Sequence, residues 1–241
     1  MAYQSKHKKS SATQLRIDGV PLDGLSLREF DKAVFDKFGV VCGIDEAGRG
    51  PIAGPVYAAA VILDPENPIE GLNDSKKLTP KKREALYEEI WDKALAVSVS
   101  CALVSEIDET DILSADLLAM ARAFDTLCIK PVIVLVDGDV LPELNDPFNS
   151  ENKFDGVLKN VIGGDAKSEA IAAASILAKV ERDKEMCSFA EKYPEYGFEK
   201  HKGYGTKAHY AAIKEHGICA IHRRSFLKKF LADKDKNGQT S

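Results

Sequence analysis

Val40-Val41-Cys42-Gly43-Ile44-Asp45-Glu46-Ala47-Gly48-Arg49-Gly50 is the stretch on which the reading of this chain turns. Residues 40–44 are short, apolar and β-branched, and glycines follow, which is the pattern of a buried strand. Two adjacent carboxylates interrupt it. A carboxylate at the end of a buried strand carries a desolvation cost unless a cation or several donors meet it. Successive strand residues point to opposite faces, so the pair is not one solvation event repeated. Hard oxygen ligands suit Mg²⁺ or Mn²⁺, and a divalent metal accounts for the pair economically. Taken alone, a strand-end Asp accepting turn hydrogen bonds beside a solvated Glu does so equally well.

Outward from this stretch the chain reads as α/β. Residues 25–38 carry Leu27, Phe30, Ala33, Val34 and Phe38 near helical spacing. The apolar run 56–63 after the glycines predicts a strand returning antiparallel to the first. Thr79-Pro80 opens a helix to about residue 94, since proline fits a first helical turn. Residues 96–104 alternate as a third strand, and 112–128 are amphipathic and helical. Val132-Ile133-Val134-Leu135-Val136 reads as a buried, parallel-type strand ending in Asp137-Gly138-Asp139. Residues 168–186 form an alanine-dense helix. No repeat and no linker splits the chain, and a length of 241 residues is enough for one sizeable core.

Composition narrows the class. No apolar run reaches the roughly 18 residues a membrane span needs, and the polar, lysine-bearing start has no apolar signal core. Five scattered cysteines without a C-x-x-C pair read as reduced thiols of a cytoplasmic protein. Net charge is −5, yet residues 199–229 hold eight basic residues against Glu199 and Glu215, a local balance of +6. Lys76, Lys77, Lys81, Lys82 and Arg83 form a second cluster. A phosphate backbone responds to such local patches, although charge runs also serve as solvated helix faces.

Asp137 ends an apolar strand as Asp45-Glu46 do, and ligands collect at such carboxyl ends in open α/β sheets. Asp165, in Gly163-Gly164-Asp165, precedes the alanine-rich helix, where an N-cap role is the simpler reading. Together the four acids suggest a carboxylate cluster for metal-assisted attack on a phosphodiester.

The chain resembles ribonuclease HII of the ribonuclease-H-like superfamily. The residues that carry the likeness are Gly43-Ile44-Asp45-Glu46-Ala47-Gly48-Arg49-Gly50-Pro51, Asn73-Asp74-Ser75-Lys76-Lys77-Leu78 and Val136-Asp137-Gly138. Gly163-Gly164-Asp165 with Ala172-Ala173-Ala174-Ser175-Ile176-Leu177-Ala178-Lys179 follows, then His201-Lys202-Gly203-Tyr204-Gly205-Thr206 and His222-Arg223-Arg224-Ser225-Phe226. The resemblance implies a ribonuclease-H-like mixed sheet flanked by helices, with a C-terminal helical extension. It places a tail and short helix at 1–39, the catalytic domain with a substrate-binding helical segment at 40–230, and a disordered tail at 231–241. Asp45, Glu46, Asp137 and Asp165 match the catalytic carboxylates that bind Mg²⁺ or Mn²⁺, in all two ions. Gly48, Arg49 and Gly50 match the triplet whose backbone meets the ribose 2′-hydroxyl, where a missing Cβ lets main chain approach a sugar. Tyr204 matches the tyrosine that packs on the next sugar. Ser75 and Lys76 resemble phosphate contacts. Arg223 and Arg224 fit either phosphate contact or a structural role.

The implied activity is metal-dependent hydrolysis 5′ to ribonucleotides in duplex DNA, and of RNA in RNA–DNA hybrids, by a monomer. A dinucleotide-binding reading of Gly48-x-Gly50 fails because prolines and a β-like run follow where a helix is required. Ribonuclease HIII needs an added N-terminal domain, for which about 40 residues are too few. A non-catalytic nucleic-acid-binding domain remains the alternative of a different class, and the presence of all four acids argues against it.

Overall fold

The structure, a computed structural model, describes residues 16–17 and 19–238; the lysine-rich stretch 1–12 and residues 239–241 lie outside them. The chain begins with a two-stranded ribbon, β1 (Arg16–Ile17) and β2 (Val20–Pro21), followed by α1 (Leu27–Phe38). A reciprocal cap starts α1: the Ser26 hydroxyl accepts from the Glu29 amide, and the Glu29 carboxylate accepts from Ser26. Ile17 and Leu22 pack with Phe30 and Val34, so part of the presumed N-terminal tail belongs to the core.

β3 (Val41–Ala47) then enters the centre of a five-stranded sheet. β4 (Val56–Ile62) pairs with it antiparallel, and β5 (Ala96–Ala102) pairs antiparallel with β4. Between them α2 (Pro80–Lys93) starts at an N-capping Thr79 with proline in its first turn. α3 (Val104–Glu109) and α4 (Ile112–Asp125) lead to β6 (Ile133–Asp137), parallel to β3 on its other side. A small hairpin, β7 (Asn145–Asp146) and β8 (Asn149–Lys153), precedes β9 (Val157–Val161), which pairs parallel with β6 and ends the sheet. α5 (Glu169–Lys192) follows, then α6 (Phe198–His201), α7 (Lys207–His216) and α8 (Arg224–Gly238).

The sheet is buried on both faces, which is why its central strands are continuously apolar rather than alternating. Cys42, Ile44, Val134 and Val136 pack toward α4, with Ala119, Met120, Ala123 and Phe124. Val41, Ile133 and Leu135 face the other way, toward α1 and Ile171 of α5. Gly43 marks the closest approach: a Cβ there would lie 2.2 Å from the Ala170 carbonyl carbon, so the helix rests directly on the strand. The alanines of α5 serve the same contact, because small side chains let helix and sheet backbones close together.

A separate apolar cluster holds the C-terminal helices. Met186, Tyr196, Phe198, Ile213 and Leu227 pack around Ile52 and Ala53 from the loop after β3. Asp108 accepts from the Arg224 and Ser225 amides and the Ser225 hydroxyl, fastening the start of α8 to α3. α8 reaches Gly238, inside the segment expected to be without structure from 231, because Phe226, Phe230 and Leu231 give it an apolar stripe against this cluster.

Candidate active site

Register explains the meeting of the acids. Ile44 pairs with Val136 across parallel strands, so Asp45 and Asp137, one residue on, stand side by side on the face toward α5. β3 does not stop at Ile44, as its apolar run suggested. It continues to Ala47 against β4, pairing Asp45 with Ala59 and Glu46 with Ala58. Alternation sends Glu46 to the α4 face. Since β6 ends at Asp137, nothing of that strand separates the Glu46 carboxylate from the other two. Ligand atoms of Asp45, Glu46 and Asp137 all lie within 4.8 Å of one another.

Three carboxylates at this range cannot be comfortable without a cation. Asp45 is 3% exposed, and burial, then Glu46 and Asp137, hold its carboxyl well above the usual range. Burial likewise raises Glu46, with Asp137 adding to it and the Arg49 charge opposing it. Donors offset only part of this: Glu46 N–H donates to Asp45 Oδ1 at 2.7 Å and Gly164 N–H to Asp137 Oδ1 at 2.6 Å. Hard oxygen donors, mutual repulsion and partial burial together fit a divalent cation.

Asp165 stands just outside that group. It sits in a 3₁₀ turn, Gly164–Ala166, and the N-cap of α5 is Ser168, whose hydroxyl accepts from the Ile171 amide. The N-cap reading of Asp165 is therefore displaced by three residues. Its Oδ2 lies 3.7 Å from Lys76 Nζ, and burial, Asp74 and Asp137 raise its carboxyl. Asp74, a residue the sequence reading passed over, is thus a fifth acid at this rim. Burial pushes its carboxyl up, but the Lys76 amide and ammonium outweigh that and leave it lowered.

Lys76 is 81% exposed in its side chain, with Nζ 3.7 Å from Asp165 Oδ2. Ser75 is placed differently. It is 3% exposed, and its hydroxyl shares a 2.9 Å hydrogen bond with Ser175 of α5, which in turn hydrogen-bonds Asp45. The side chain supports the cluster from behind rather than facing solvent, since the 73–78 turn packs onto α5 at that point.

The glycine loop after β3 is organised by two buried arginines whose hydrogen bonds go to main-chain carbonyls. Arg223 donates to the carbonyls of Gly48, Arg49, Pro51, Gly54 and Pro55, at 2.6–3.2 Å. Arg182, from α5, donates to those of Ala53, Pro55 and Lys202. A trans peptide directs its N–H opposite its carbonyl. With the Gly48 and Arg49 carbonyls drawn inward, the Arg49 and Gly50 amides face out. Gly48 is required by its φ of +108° and by Arg182, whose Nε would lie 2.2 Å from a Cβ. The crowding comes from the Arg182 side chain and the Pro55 carbonyl. Arg223 therefore leaves the basic surface patch and takes the structural alternative.

Tyr204 completes the rim. It is 48% exposed, and its ring lies 3.5 Å from where a Gly50 Cβ would be. Its carbonyl accepts from His209 Nδ1, and His209 Nε2 meets His222 Nε2 at 3.0 Å. The Cys219 amide donates to His222 Nδ1, which puts the His222 proton on Nε2 and makes it the donor to His209. Burial lowers both histidines to about 4, so each stays neutral and the chain of bonds has one direction.

Comparison with known proteins agrees with this geometry. The sequence profile of the family described as ribonuclease HII matches residues 42–229. The chain belongs to the ribonuclease HII family. A ribonuclease HII from Idiomarina loihiensis is 54% identical over 196 residues, which is 80% of this chain and 100% of that protein. One from Delftia acidovorans is 58% identical over 188 residues, 78% of this chain and 76% of the relative. The crystal structure of ribonuclease H2 from Pyrococcus horikoshii superposes with a TM-score of 0.67 at 30% identity, covering 84% of this chain and 100% of that one. The ribonuclease-H-like mixed sheet with C-terminal helices is thereby established, and with it a divalent-metal-dependent endoribonuclease. Among the described residues, no helix is long and apolar enough to cross a membrane. All five cysteines are unpaired.

Sequence reasoning missed Arg182 and Asp116. The first stood in an unremarked charged turn of α5. The second had a signal, a lone acid within the apolar face Ala115-Asp116-Leu117-Leu118-Ala119-Met120.

Proposed function

We propose that this chain incises the phosphodiester 5′ to ribonucleotides embedded in duplex DNA and degrades the RNA strand of RNA–DNA hybrids, leaving 3′-hydroxyl and 5′-phosphate ends. One observation carries the reading: Arg223 holds the Gly48 and Arg49 carbonyls, which turns the Arg49 and Gly50 amides of the same peptides away from it, on the loop that leaves β3 directly after Asp45 and Glu46. The 2′-hydroxyl is what distinguishes RNA from DNA at a given position. Donors fixed in a rigid loop can bind it without reorganising when substrate arrives.

Asp45, Glu46 and Asp137 would hold Mg²⁺ or Mn²⁺, with Asp165 nearby for a second ion. Divalent ions held by these residues would supply Lewis-acid chemistry, activating a water for attack and stabilising the charge that develops on the leaving group. Lys76 offers a point charge to phosphate from beside Asp165. The Tyr204 ring, held at Gly50, packs on the sugar after the ribonucleotide and excludes a 2′-hydroxyl there. Exposed lysines of the 199–229 segment carry the duplex flank. The protein acts as a cytoplasmic monomer in this reading.

A duplex carrying a single ribonucleotide, incubated with Mg²⁺ or Mn²⁺, provides the test. The expected result is one nick on its 5′ side, lost in Asp45→Asn and Asp137→Asn. A mobility shift without a nick would reject hydrolysis in favour of a binding domain, and full nicking by both variants would remove Asp45 and Asp137 from the cutting site.

A further inference from the structure

Asp116 is an acid within an apolar helix face. It projects from α4 into the apolar layer against the α4 face of the sheet, 1% exposed. An acid buried there is costly unless something uses it. Its Oδ1 has no hydrogen-bond partner among the described residues, and its Oδ2 lies 3.5 Å from Arg49 Nε. The same guanidinium reaches toward Glu46, with Nη1 3.8 Å from Oε1. Arg49 has little freedom in its main chain, because its carbonyl is held by Arg223. Its side chain therefore hangs between two acids, one a candidate metal ligand and the other not.

We propose that Asp116 is a positioning residue that draws the Arg49 guanidinium away from Glu46 and keeps Glu46 available to a divalent cation. Without Asp116 the nearest countercharge for Arg49 is Glu46, three residues before it in the chain. An arginine paired there competes with a metal ion for the same oxygens, because each satisfies the same negative charge. With Asp116 present, the guanidinium has a second acid in a water-poor niche. Burial and Glu46 push that carboxyl up to about 8, and the Arg49 charge opposes the shift and favours the ionised form that pairs with it. The inference rests on reading Glu46 as a metal ligand.

The test is calorimetric titration of Mn²⁺ into the full chain. It compares wild type with Asp116→Asn, Arg49→Gln and the double variant, with Asp116→Thr as a second, smaller replacement. Asp116→Asn and Asp116→Thr are expected to weaken Mn²⁺ binding roughly tenfold in the wild-type background. In the Arg49→Gln background the same changes should matter by less than about twofold, since the path through Arg49 is gone. Equal weakening in both backgrounds would overturn the proposal, for Asp116 would then act on the ion by its own charge or as a ligand. No weakening in either would overturn it too. Glu46→Gln examines the underlying reading separately: if it leaves Mn²⁺ affinity unchanged, the ligand assignment falls and this inference falls with it.

Discussion

The carboxylate rim and the loop beside it are built on opposite principles. At the rim, Asp45, Glu46 and Asp137 repel one another within 4.8 Å, and the donors that reach them leave the repulsion uncompensated. In the loop, Arg182 and Arg223 satisfy carbonyl after carbonyl, and a one-way chain of neutral histidines fixes the backbone of Tyr204. The rim is unsatisfied until a cation arrives, whereas the loop is satisfied before anything binds. In the function proposed above, bond cleavage draws on the first kind of site, and discrimination between sugars draws on the second. A reader of one hydroxyl gains from rigidity, because donors already in place need no reordering on binding.

The comparison breaks most visibly if rim acids are dispensable. Asp137→Asn should lower the rate of nicking at a single ribonucleotide by about 1,000-fold or more, measured under single-turnover conditions. The loop should fail differently. Arg223→Met takes the side-chain donor from the carbonyls of Gly48, Arg49, Pro51 and Gly54, while Pro55 keeps Arg182. Denaturant unfolding should show a loss on the order of 3 kcal/mol. Preference for the ribonucleotide junction over a continuous hybrid should shrink with it. Arg223→Lys, with one point charge in place of a fork, should recover only part of both. A variant with intact stability and selectivity would remove the loop's claim to prior organisation.

Gly48→Ala tests the same scaffold from the backbone side. It combines a positive φ with a clash on Arg182, and a cost of about 1–3 kcal/mol is expected, read from the shift in unfolding midpoint. Tyr204→Ala should separate selectivity from folding. The ring is half exposed, so the midpoint should hardly move while the junction preference drops.

The smallest effect concerns pH. His209 and His222 have folded values near 4, below the ordinary 6.5. The unfolded chain therefore takes up protons first as pH falls through 6.5, and the folded state loses relative stability from there down to about 4. Thermal unfolding across that window should show a decline that His209→Gln lessens.

Much of this was legible in residues, and the gaps have physical reasons. The acids were readable because charge at the end of an apolar strand needs an explanation, and Asp137 repeats the pattern of Asp45. Thr79-Pro80 announced α2 through capping chemistry that is local to the chain. β9 escaped because Val157-Leu158-Lys159-Asn160-Val161 has no clean period, and its place at the sheet edge is set by pairing with β6. The role of Arg223 could not be read from its neighbours, since its five acceptors lie more than 160 residues away in sequence. Ser75 looked like a surface contact because burial by α5 is a tertiary fact. Asp116 was overlooked because an amphipathic helix tolerates one acid in its pattern, and only the fold puts that acid under Arg49.

Thermal unfolding with and without Mn²⁺ tests the central contrast most directly. The wild-type midpoint should rise when Mn²⁺ is added, because the ion relieves the repulsion at the rim. Asp45→Asn should match or exceed the wild-type midpoint in metal-free buffer and lose most of the response to Mn²⁺. A wild-type midpoint indifferent to Mn²⁺, or an Asp45→Asn protein less stable without metal yet still fully responsive to it, would contradict the account.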